Sequence, residues 1–343
     1  MRGAELSRAY ATEVVGPLLD AERPGMLLGL ARLGSGSDVL GHDDVASRDH
    51  DWGLRITVLV PAEEVDAVDA LLQHGLPETW NGRPTRFPVT WDERVHQRAE
   101  VTTTLGFARF RTGLDLTRDP DPVEWLSLTG QSVLELTAGE VYRDDDGSIR
   151  RLRERLAGYP RDVRVHALSS GWAKIGQELP FVARTAALGD DVGSRAIAAR
   201  LVVDAMHLGF LLEKRWAPYS KWLGTDFVAL PRAGRLTAPL RRAVAAASGS
   251  AREAALVEAL EGLARLQGEL GLPTLSPATE PFFARGSRGL RGIPELLRDA
   301  IGDPRIRALP PIGTADQWTD SVELTTHPER RVRIARALYG TPD

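Results

Sequence analysis

Strand-like alternation in this 343-residue chain is confined to its first third, and helical periodicity takes over beyond it. The strand candidates are Leu54 to Val60, Thr85 to Trp91 and Ala99 to Phe107, where apolar and β-branched residues alternate as a half-buried strand requires. Around them, residues 5–20 carry a helical stripe of Leu6, Tyr10, Val14, Val15, Leu18 and Leu19, stopped by Pro24-Gly25. Pro61 opens a second amphipathic helix through Leu72. A run ordered helix, strand, helix, strand, strand predicts a small α/β domain ending near residue 112.

From Pro122 onward the pattern is helical, over 148–157, 161–178, 191–214, 237–245, 250–268, 292–299 and 328–338, with a turn at residues 144–147. The run 191–215 is long enough for six turns, with an apolar stripe suited to a bundle core. The spacing therefore predicts an α+β chain: an N-terminal α/β domain over residues 1–115 and a helical domain over 116–343. Gly271, Pro273 and Pro277 mark a further C-terminal subregion from about 272.

Composition excludes several classes of function. The chain has no cysteine, which removes disulfides, thiolate metal sites and a cysteine nucleophile. No apolar run approaches the roughly 20 residues that cross a bilayer, and the first residues lack a signal peptide's apolar core. A cytoplasmic protein without a membrane partner is expected. A formal charge of −4, with no basic stripe interleaved with aromatics, argues against nucleic acid as a partner.

The sharpest chemical signal is Gly34-Ser35-Gly36-Ser37, followed after eleven residues by Asp49-His50-Asp51-Trp52 and then a strand. Two acids one residue apart at a strand's start project the same way and offer a divalent cation convergent hard oxygens. A Gly/Ser turn lets backbone N–H groups and a hydroxyl approach a phosphate. Glu100, at the start of the Ala99 strand, meets Asp49 and Asp51 if that strand neighbours 54–60. Three carboxylates can hold two metal ions. His50 alternates to the other face, and His42, Asp43 and Asp44 read as a solvated loop ordered by Asp38 or Asp44. Arg32 and Arg48 flank the phosphate position, either to neutralise it or to pair with neighbouring carboxylates. Trp216, Tyr219, Lys221 and Trp222 read as a bundle-capping cluster or as a nucleotide platform.

Gly36-Ser37, Asp49-x-Asp51 and a later strand acid, Glu100, resemble in order the motifs of the polymerase-β-type nucleotidyltransferase superfamily. Residues 34–53, with 86–92, 134–144, 176–194 and 211–227, more closely resemble the DUF4037 family, over most of the chain. The two-domain plan is similar to that of aminoglycoside nucleotidyltransferases. The resemblance implies a nucleotidyltransferase-like domain with a mixed sheet, followed by helices. It also implies Mg²⁺ (or Mn²⁺) as cofactor, held by Asp49, Asp51 and Glu100. A nucleoside triphosphate, ATP by default, would be held by Gly36, Ser37, Arg48, Tyr219 and Lys221. A hydroxyl-bearing acceptor, a small molecule or a protein side chain, would be deprotonated by Glu178, with His166 and Glu213 as alternative bases. The acceptor-binding residues of the antibiotic-modifying enzymes have no counterpart here, so the acceptor stays open, as does oligomeric state. The alternative is the same fold as a non-catalytic nucleotide-sensing or protein-interaction module.

Overall fold

The computed structural model describes residues 3–44, 52–89, 92–283 and 286–340. The described chain forms an N-terminal mixed α/β region built on a small mixed sheet, followed by a largely helical region. By contacts it divides into two compact units, Met1–Asp119 with Ser132–Ala157, and Pro120–Gln131 with Gly158–Asp343.

The first unit opens with α1 (Gly3–Tyr10) and α2 (Gly16–Glu22), joined by a single π turn over Ala11–Val15. The extra residue in that turn keeps Leu6, Tyr10, Val15 and Leu19 on one buried face. Strand β1 (Gly29–Arg32) is buried along its whole length and pairs antiparallel with β2 (Ile56–Leu59). α3 (Val65–Gly75) then buries Val68 and Leu72 in the same core as Leu30, Ile56 and Val58. Each such aliphatic side chain contributes roughly 2 kcal/mol through its removal from water.

Two short ladders follow: β3 (Thr79–Trp80) with β4 (Arg83–Pro84), and β5 (Arg86–Val89) with β6 (Asp92–Gln97). The β5–β6 register shifts between Phe87 and Val89, at Pro88, which has no N–H to give the ladder. β7 (Ala99–Thr102) returns parallel to β2, as a connection this long allows.

The expected strand Ala99 to Phe107 is therefore too long. Thr103 caps a helix, its Oγ1 accepting the Gly106 N–H at 2.8 Å, and α4 (Thr104–Thr112) begins at once. The cap makes Thr104 the first residue of a helix instead of a further strand position.

In chain order α5 (Pro122–Leu126) and α6 (Gly130–Thr137) come next, and β8 (Glu140–Asp144) pairs antiparallel with β1. The sheet order is β7-β2-β1-β8. α7 (Ser148–Arg155) follows, its Ile149 and Leu152 buried.

In the second unit, α8 (Arg161–Ala187) and α9 (Asp191–Leu212) are followed by α10 (Ser220–Val228), α11 (Thr237–Ala245) and α12 (Gly249–Glu269). Trp172 of α8 is fully buried and donates its indole N–H to Gln267 of α12 at 2.8 Å. Arg252 of α12, also fully buried, donates to Asp191 at 2.7 Å at the start of α9. A short hairpin, β9 (Thr279–Phe282) with β10 (Ser287–Leu290), precedes α13 (Ile293–Asp299) and the closing helix Pro328–Tyr339. Among the described residues, no helix is long and apolar enough to cross a membrane.

Candidate functional site

The register of the sheet brings two of the motif segments to one end. Ala31 of β1 lies opposite Thr57 of β2, and Thr57 lies beside Glu100 of β7. β1 runs antiparallel to β2, and β7 lies parallel on the far side of β2, so the C-terminal end of β1 is at the same sheet end as the N-terminal ends of β2 and β7. Gly34–Ser37 leaves β1 at that end, and Glu100 stands there on β7.

The Gly/Ser turn is built around a buried ion pair. Arg32 directs Nε and Nη2 at the two oxygens of Asp38, at 2.7 and 2.9 Å. Its remaining donors go to the carbonyls of Leu33 at 2.6 Å and Ser35 at 2.9 Å. Arg32 is thus committed to shaping the turn, the second of the two roles expected for it. Asp38 orders the loop, while Asp43 accepts the N–H of Gly3. Gly36 has φ +135°, and a Cβ there would strike both Asp38 and Arg32. Ser35 Oγ accepts from Arg55 at 3.3 Å, and Ser37 is half-buried beside it, its carbonyl accepting the His42 N–H at 2.8 Å.

Glu100 is about half exposed and pairs with Nη2 of Arg111 at 3.3 Å. The same guanidinium reaches Glu135 through Nη1 at 3.2 Å and packs over the rings of Phe107 and Phe110, each 5.0 Å away. Glu135 also accepts the Gly34 N–H through its carbonyl at 2.7 Å. Sequence reasoning missed both Arg111 and Glu135. Glu135 sat within the family-like segment 134–144, and Arg111 fell beyond the presumed strand, where no pattern singled it out.

Asp49, Asp51, Arg48 and His50 lie outside the described residues. Gly36, Ser37 and Glu100 belong to the first unit, and Glu178, Tyr219 and Lys221 to the second. Glu178 of α8 pairs with Arg200 of α9. Glu213 accepts the backbone N–H groups of Arg232 and Ala233 at 2.9 and 2.6 Å. His166 is buried against Tyr339, and burial pushes its pKa down to about 4. Tyr219 caps α10 half-exposed, and the ammonium of Lys221 lies 5.1 Å from the Trp222 ring. Among the described residues no group of three or more His, Asp or Glu side chains is gathered for a metal ion.

No curated protein and no solved structure matches the chain. Residues 125–223 match a family model described as "Domain of unknown function (DUF4037)". That segment runs from α5 to α10 and includes Glu135, Glu178, Tyr219 and Lys221. Over residues 125–223 the chain is thus similar to the DUF4037 family.

Proposed function

We propose that this protein is a divalent-metal-dependent nucleotidyltransferase. It moves a nucleoside monophosphate, AMP by default, from a nucleoside triphosphate to a hydroxyl of a small molecule or a protein. The observation that carries this reading is the convergence of the Gly34–Ser37 turn and Glu100 at the sheet end where β2 begins. Asp49 and Asp51 precede β2 closely in sequence. The α+β architecture is compatible with the same reading.

The donor set suits Mg²⁺ or Mn²⁺. Glu100 keeps its carboxylate about half exposed at the sheet end, and Asp49 and Asp51 add hard oxygens, the ligands such ions take. A bound ion would supply positive charge at the phosphates and at the acceptor oxygen.

The chain's own residues do the rest. The Gly36 backbone and the Ser37 hydroxyl grip the triphosphate, and Arg48 offsets its charge. The acceptor hydroxyl gives up its proton to a general base as its oxygen forms the bond to the α-phosphorus. The bond from that phosphorus to the β-phosphate bridging oxygen breaks in line, and pyrophosphate leaves. Such a reaction gains chiefly from positioning and charge stabilisation, which this set of residues provides.

The test is incubation with each α-labelled nucleoside triphosphate, Mg²⁺ or Mn²⁺ and a cell extract. Label transfer that disappears in a D49N/D51N variant is expected. Binding of a triphosphate without any transfer would instead favour a nucleotide-sensing module on the same fold.

A further inference from the structure

Arg111 stands where three features of the first unit meet. Its Nη2 pairs with Glu100, and that same nitrogen lies 2.9 Å from where a Cβ of Gly34 would be. Gly34 has φ +81°, so both its conformation and its neighbour require a residue without a side chain. The other terminal nitrogen is anchored to Glu135, and two phenylalanine rings flank the guanidinium. One face of Arg111 is thus fixed, while the other is shared between a half-exposed carboxylate and the phosphate-binding turn.

From this arrangement we infer that Arg111 is the resident counter-charge of Glu100 and a nucleotide-binding residue, which turns to the nucleotide's phosphates once a divalent ion takes that carboxylate. This rests on the nucleotidyltransferase reading and adds to it the way the site passes between its empty and loaded forms. A cation arriving at Glu100 is attracted by its carboxylate while Arg111 competes with it. When Glu100 turns to the ion, Nη2 loses its partner beside the turn. A guanidinium held by Glu135 presents its remaining donors in the planar fork that matches phosphate oxygens. Arg111 therefore weakens binding of the bare ion and strengthens binding of the metal–nucleotide complex.

The test is titration of the full chain with Mn²⁺ alone, followed by electron paramagnetic resonance, and then with Mn²⁺ and a non-hydrolysable ATP analogue. In R111M, removal of the competing partially exposed ion pair should tighten Mn²⁺ about fivefold. The analogue should bind about tenfold more weakly, the loss expected for one charge-assisted bond to phosphate. R111K should recover part of the analogue affinity. E135Q, which leaves the Glu100 pair in place, should weaken the analogue alone, and it carries the test if R111M does not fold.

A purely structural defect would move both affinities the same way. Shifts of the same sign in R111M, or an E135Q variant indistinguishable from wild type, overturn the inference while leaving nucleotidyl transfer intact. A wild-type chain that binds neither Mn²⁺ nor the analogue removes the underlying reading as well.

Discussion

Asp38 holds both oxygens against the Arg32 guanidinium, at 2.7 and 2.9 Å, in a turn where only 3% of the arginine side chain reaches solvent. A buried pair of this kind is costly to break from one side, because the remaining charge is left without compensation. Asp38→Ala should therefore lower unfolding stability by about 3 kcal/mol, read from urea denaturation. A double variant, R32M/D38L, that removes both charges should recover much of the loss. If the single and double variants melt alike, the pair does not order the turn.

Gly36 makes a separate prediction for the same turn. Its φ of +135° is poorly tolerated by any residue with a Cβ, and Asp38 and Arg32 fill the space where that atom would go. Gly36→Ala is expected to cost at least about 1–3 kcal/mol, the range for backbone held in a sparsely populated region. The change should also weaken nucleotide analogue binding. Wild-type denaturation and wild-type binding together would show that the backbone is free to relax.

Thr103 ends β7 and starts α4, the helix that carries Arg111. Thr103→Ala deletes the acceptor for the Gly106 N–H and should destabilise the first unit by about 1 kcal/mol, whereas Thr103→Ser should be nearly neutral. Hydrogen exchange at Gly106 and Phe107 reports the effect locally. Unchanged protection in the alanine variant would rule out the hydroxyl as the cap.

His166 sets a pH dependence in the second unit. Burial, assisted by the nearby Arg298 charge, lowers its pKa to about 4 from an ordinary 6.5. Below 6.5 the unfolded chain takes up a proton that the folded chain refuses, so stability falls as the pH drops from 6.5 towards 4. At pH 5 this one group costs about 2 kcal/mol relative to pH 7. Burial shifts His207 in the same direction. Asp316 opposes them: burial pushes its carboxyl up to about 6, so the folded chain binds that proton first and gains stability as the pH falls below 6. The two histidines outweigh it. His166→Phe should therefore flatten the decline in melting temperature between pH 7 and pH 5, and slopes equal to wild type would contradict the assignment.

Much of this architecture was readable because its patterns are local. The β2 segment is a run of β-branched and aliphatic residues, and α9 buries Ala198, Leu201, Val202, Ala205 and Leu208 at helical spacing, so neither depends on distant partners to be recognised. The Ala99 strand was overextended because threonines suit a strand and a helix cap equally well, and only the bond from Gly106 to Thr103 distinguishes them. β8 went unseen because Glu140–Asp144 is short and gains its place by pairing with β1, more than a hundred residues earlier.

In the candidate site, spacing alone singled out the Gly/Ser turn and Glu100. Arg111 and Glu135 were invisible because an ion pair between a helix and residues far along the chain leaves no periodic mark. The carboxylates of Asp49 and Asp51 remain a reading of spacing, outside the described residues.

β8 also dictates an order of assembly. When residues up to 119 have left the ribosome, β1 has β2 on one side and nothing yet on the other. Its last neighbour, and the Glu135 carbonyl that receives the Gly34 N–H, arrive only after residues 120–131 have been made and assigned to the other unit. An unpaired strand edge during synthesis invites pairing with another nascent chain. A fragment cut at 119 would keep that exposed edge permanently, so the smallest piece able to complete the first unit must extend to Ala157 and carry residues 120–131, with α5, along with it.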